Sequence, residues 1–200
     1  MRVGVVVAVT LAFARVAHAR PDCEGQAREL RSFLIAEASR ADTWNTLWAL
    51  GFGAATVGQL AVARSELVKS DAVRRETLYV GAVKASIGLA SKLVLPLRLE
   101  VPAPIEDCAD VRALQKAVAT AAHKERRTIW LTIIGGTAVN LAGSIWLWAR
   151  HDLKTAATSF LSGLPVGPIG ALTQPKGALR RYKKKRVDWV AGIGWVGGTF

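Results

Sequence analysis

The chain has 200 residues, 51% of them apolar and 21% charged, which bounds it to one ordinary domain or two small repeated units. Of its formal charge of +12, half sits in residues 176–200, where seven basic residues face one acid, Asp188, which excludes a uniformly basic body. Those totals suit a soluble or a membrane protein. The distribution decides, because the apolar residues gather in charge-free runs, as lipid requires.

Residues 1–19 have the pattern of a secretory signal peptide. Arg2 precedes a short apolar stretch from Val3 to Ala14, and Ala17-His18-Ala19 supplies the small-x-small site before Arg20. Twelve apolar residues are too few to cross a hydrocarbon core of ~30 Å. The mature N-terminus is therefore expected on the exported side, periplasmic or extracellular.

Two runs have the length of a membrane span, Trp44 to Ala63 and Ile129 to Ala149, both free of charge. Trp44 and Trp48 open the first, Trp130 opens the second, and Trp146 and Trp148 close it, where an indole meets both lipid and water. No Pro or Gly lies between Gln26 and Leu50 or between Glu106 and Ile134. Leu30, Leu34, Ala38 and Ala41 recur at helical spacing, as do Val111, Leu114, Val118 and Ala122. Each span is thus expected to continue an amphipathic exported helix, giving roughly 60 Å of unbroken helix.

Two further segments are candidate return helices. Leu78 to Leu97 has the length but carries Lys84 and Lys92. Thr155 to Gln174 is charge-free but contains Gly163, Pro165, Gly167, Pro168 and Gly170, so it is expected to be kinked or re-entrant.

These pieces recur in order. Asp22-Cys23 returns as Asp107-Cys108, Trp44 as Trp130, Ala63-Arg64 as Ala149-Arg150, and Ser86-Ile87-Gly88 as Pro168-Ile169-Gly170, at offsets of 82 to 86 residues. The fold expected is an all-α membrane protein of two tandem repeats, 20–97 and 98–175, together a four-helix bundle, followed by a basic and aromatic tail, 176–200. Cys23 and Cys108 occupy equivalent places on the exported side, and a disulfide between them would staple the repeats. Closing so long a loop stabilises by about 4 kcal/mol in the chain-entropy account. A redox pair would need closer thiols such as Cys-x-x-Cys, and the chain has no such motif.

Lys84 and Lys92 would snorkel to the two faces of the membrane, or else line a pathway. Asn45, Gln59, Asn140 and Ser144, with the small faces at Gly51, Gly58, Gly135, Gly136 and Gly143, read as packing devices between helices. His151-Asp152 reads as an exposed turn. No catalytic, metal or cofactor motif emerges.

The loops Arg64–Glu76 and Arg150–Lys154 are net positive, as cytoplasmic loops are, and the exported segment Pro21–Asp42 is net acidic. Four full spans would place the tail outside, against that tendency, whereas a re-entrant 155–174 would keep it inside. The tail cations Arg180, Arg181, Lys183, Lys184, Lys185 and Arg186 suit anionic lipid head groups or an acidic envelope polymer, with nucleic acid disfavoured. The function expected is a non-enzymatic membrane scaffold or subunit of a cell-envelope complex, contacting other membrane subunits or itself. The alternative is a small oligomeric channel or transporter built on Lys84 and Lys92.

Overall fold

A computed structural model describes residues 23–103 and 110–184. The leader 1–19, Cys108, Lys185 and Arg186 lie outside the described residues, and with Cys108 the proposed disulfide partner of Cys23.

All elements among the described residues are helical. α1 runs Cys23–Arg64 (42 residues), a single 3-10 turn covers Glu66–Val68, and α2 runs Ala72–Val94 (23 residues). α3 runs Asp110–Arg150 (41 residues), followed by α4, Leu153–Gly163, and α5, Val166–Thr173. Residues 177–184 are helical as well. The two long helices form as expected because nothing interrupts their first halves, and each continues unbroken through its glycine-bearing second half. Asp71 caps α2 by accepting the Arg74 amide at 2.9 Å, and Asp152 caps α4 by accepting the Thr155 amide at 2.7 Å.

α1, α2 and α3 are each long and apolar enough to cross a membrane. Contacts between Phe52 and Gly88, Gln59 and Gly81, and Trp44 and Lys92 set α1 and α2 antiparallel. Lys84 against Asn140 and Glu76 against Trp146 set α2 and α3 antiparallel, so α1 and α3 run in the same direction.

The segment 155–174 bends without turning back. Leu164 (φ −56°, ψ −40°) and Pro165 (φ −68°, ψ −20°) both stay right-handed helical, and the break arises because Pro165 has no N–H to donate and its ring crowds the preceding turn. α4 and α5 then follow α3 in the opposite direction. Ser159 lies by Asn140 and Ser144 through Lys84, Gly163 lies on Asn140, Gly167 on Thr132 and Ile133, and Gln174 reaches Glu125. Gly167 crosses α3 closely, where a Cβ would sit 3.4 Å from the Thr132 carbonyl oxygen, in van der Waals contact. This path delivers 177–184 to the same end of the molecule as the first halves of α1 and α3.

The two ends of the long helices pack in opposite senses. Leu30, Leu34, Ala41 and Trp44 of α1 close on Val111, Leu114, Val118 and Ala122 of α3, with Leu97, Leu99 and Ala178, into an ordinary buried core. The charge-free halves do the reverse: only 6 to 11% of the most apolar window of each long helix is buried. Leu47, Leu50, Val57, Trp130, Ile134 and Ile145 all point outward there.

Residues 96–103, which follow α2, are anchored to α1 by one side chain. Buried Asn45 donates to the Leu97 carbonyl at 3.0 Å and accepts the Leu97 amide at 3.1 Å, satisfying both polar groups of a buried residue outside any helix. Asn45→Ala strands both groups and is expected to lower stability by about 2 kcal/mol. Its specific signature is new protease cleavage between 95 and 103; unchanged cleavage there would show that the segment holds without Asn45.

Candidate functional site

The interior of the apolar half contains a polar knot. The Lys84 Nζ donates to Asn140 Oδ1 at 2.9 Å, to Ser159 Oγ at 2.9 Å and, more weakly, to Ser144 Oγ at 3.4 Å. Asn140, Ser144 and Ser159 are all buried. Asn140 also donates to the Phe160 carbonyl at 2.7 Å, so one side chain ties α2, α3 and α4. Glycine makes the room: a Cβ on Gly143 would collide with the Lys84 stem and one on Gly163 with the Asn140 amide. The Lys84 ammonium is thus held by three neutral oxygens between helices.

Lys92 is placed elsewhere. Its Nζ sits 3.8 Å from the centroid of the Trp44 ring on α1, a cation–π contact. Lys84 faces α3 and α4 while Lys92 faces α1, so the structure does not bring the two into one stripe.

The turn between α3 and α4 is tied to the start of α2. Glu76 accepts from Trp146 Nε1 at 3.2 Å and pairs with Arg150 at 3.2 Å and His151 at 2.9 Å. Although partial desolvation opposes it, the sum of these contacts holds the Glu76 carboxyl below the usual carboxylate range. His151 is thus partnered by Glu76 rather than standing exposed beside Asp152, whose own carboxylate is committed to Thr155.

At the opposite end, two carboxylates hold the beginning of helix 177–184. Glu125 is fully buried and accepts the amides of Ala178 at 3.2 Å and Leu179 at 2.7 Å. Glu37, also buried, accepts the Gly177 amide at 3.1 Å and pairs with Arg40 at 2.6 Å. Gln174 completes the clasp by donating to the Glu125 carbonyl at 2.8 Å. Burial, reinforced by the nearby negative Glu37, pushes the Glu125 carboxyl up to about 7 against the lowering pull of the two amides.

Neither glutamate belongs to a motif or a span in the sequence, yet both leave a signal there. Glu37 falls three after Leu34 and four before Ala41, and Glu125 three after Ala122, so each interrupts an apolar face with a charge.

The tail cations divide. Arg181 is engaged within the molecule, 2.7 Å from Glu29 and 4.9 Å over the Phe33 ring. Lys183 and Lys184 lie further along the same helix, and Arg180 is exposed on it. Cys23 is half-buried at the start of α1. Among the described residues no group of three His, Cys, Asp or Glu is placed to hold a metal ion.

These features define a class: an all-helical protein with three helices long and apolar enough to cross a membrane, as a membrane protein requires. No protein-family model, no curated protein and no solved structure matches the chain.

Proposed function

We propose that this chain is a non-enzymatic integral membrane scaffold, a subunit of a cell-envelope complex. The observation that carries the reading is the reversal of packing along α1 and α3. Their charge-free halves turn Leu, Ile, Val and Trp outward around the Lys84 knot, while their charged halves bury a hydrophobic core. Apolar outside with polar inside is stable only in lipid, and apolar inside is what water requires.

In this reading α1, α2, α3 and the bent α4–α5 pair make four crossings. The first halves of α1 and α3, with 177–184, form an exported head that contacts other subunits and anionic envelope components. Recurrent contacts favour the tandem duplication: Gly81 of α2 lies on Gln59 of α1, and Gly163 of α4 lies on Asn140 of α3. The offsets are close to those of the sequence landmarks. A Cys23–Cys108 disulfide belongs to the same picture, closing the head after the signal peptide is removed.

The scaffold reading is favoured over the channel because the two lysines have separate partners and offer no shared path. The partner set of Lys84 is a crosslink between three helices.

Reporter fusions active on only one side of the membrane, joined after Lys69 and after Phe200, test the topology. Activity of the exported reporter at Phe200 and of the cytoplasmic reporter at Lys69 is expected. A cytoplasmic signal at both positions would refute four crossings.

A further inference from the structure

Beside Trp44, where the charge-free half of α1 begins, lies an open groove of about 630 Å³ between α1 and the turn joining α5 to 177–184. Its upper wall is cationic, formed by Arg40, Lys176 and Arg180. Glu37, the single carboxylate in the lining, is already turned to Arg40 and the Gly177 amide. The lower flank is apolar and outward-facing, with Leu47 64% and Leu172 74% exposed. Between them the indoles of Trp44 and Trp48 both donate to the Thr173 hydroxyl, at 3.3 and 3.2 Å, which fixes the floor.

The groove straddles the boundary at which both walls change character. On α1 the charges end at Asp42 and the apolar run starts at Trp44; on the other wall the apolar run ends at Gln174 and the charges resume at Lys176. A ligand lying there meets cations at one end and exposed leucine at the other.

We propose that this groove binds one anionic phospholipid, its phosphate between Arg40, Lys176 and Arg180 and its acyl chain along Leu47 and Leu172. The inference rests on the reading that the chain spans a bilayer with this end at the surface, and adds to it a specific lipid site. Charge complementarity and the amphipathic lining select the ligand: a soluble anion leaves the leucines bare, and a zwitterionic lipid gains little from three cations.

The test uses the full chain purified in neutral detergent. Short-chain phosphatidylglycerol is titrated against phosphatidylcholine of the same chain length, and the thermal unfolding midpoint is read. A saturable rise with phosphatidylglycerol alone is expected. Lys176→Gln/Arg180→Gln should weaken its apparent affinity about tenfold or more, from the loss of two cations near the phosphate. Lys183→Gln/Lys184→Gln, on the same segment but outside the groove wall, should change it by no more than about twofold.

Equal weakening by both pairs would assign the effect to diffuse tail charge and overturn the site. So would equal responses to the two lipids, or the same saturable rise with inorganic phosphate. The midpoint without lipid verifies that each variant folds, and Arg180→Gln alone gives the same readout where the double variant does not fold. Carbonate extraction of native membranes separates the premise: a chain released by carbonate refutes the membrane reading and the lipid site together, whereas a retained chain with no phosphatidylglycerol preference refutes the site alone.

Discussion

Replacing Glu125 by Ala is expected to destabilise the protein by about 3 kcal/mol or more and to release helix 177–184 from the rest of the molecule. The side chain is fully buried and accepts two backbone amides. Bonds to a carboxylate stabilise by about 1.5–3 kcal/mol each, and truncation also leaves two donors unpaired beside a cavity. Chemical denaturation in detergent reads the stability, and hydrogen exchange at 178–184 reads the release. Full protection of those amides in the variant would show that Ala178 and its apolar contacts dock the helix without the carboxylate.

The same group predicts a pH dependence. In the unfolded chain Glu125 titrates near the ordinary 4.5, and in the folded chain near about 7. A raised carboxyl binds its proton more tightly when folded, so the stability contributed by that proton is complete below about pH 4.5, declines between about 4.5 and 7, and is absent above. The span corresponds to about 3 kcal/mol. The charge of Glu37 from α1, in the same clasp, adds to the raising at Glu125, and Gln174 contributes no charge. Glu125→Gln is expected to flatten this decline while retaining one amide bond through its Oε1. A decline of undiminished size in the Gln variant would place the titrating group elsewhere.

The second large effect belongs to the Lys84 knot. Asn140→Ala removes one of the short acceptors of the ammonium and the donor to the Phe160 carbonyl, leaving a charge short of partners between helices. Lys84 is half-buried, so stripping a partner from its charge costs about 1–3 kcal/mol. Lys84→Met in the Asn140→Ala background removes that charge and is expected to restore part of the loss, a coupling of about 1–3 kcal/mol in a double-mutant cycle. Additive effects would mean that Lys84 and Asn140 stabilise the fold independently. A pathway for ions would show instead as flux lost in Lys84→Met with stability unchanged.

The elements legible in the amino-acid sequence are those set by local pattern. α1 and α3 follow from uninterrupted periodicity running into a charge-free stretch, and the bend after Gly163 from the proline ring at Pro165. The outward face of each apolar half follows from its length and lack of charge. Where local pattern misleads, a partner distant in the chain is responsible. Depth along α2 says nothing of the acceptors of Lys84, which lie 56 to 75 residues away on α3 and α4. The neighbour of His151 suggests an exposed turn with Asp152, yet its partner is Glu76, 75 residues earlier. Asn45 reads along the chain as a packing residue; the fold makes it the clamp on Leu97.

By itself, then, the sequence determined that α1 and α3 are long helices, which segments are apolar enough for lipid, and where one of them bends. Periodicity, proline chemistry and the absence of charge act over a few residues and are written in order along the chain. Tertiary structure alone decided the direction of α4 and α5 along α3, the end at which helix 177–184 docks, and the partners of Lys84, Glu37 and Glu125. A hydrogen bond or a groove depends on which surfaces meet, and helices joined by loops can meet in several registers with the same local pattern. The contacts of Gly163, Gly167 and Asn140 select the register observed here.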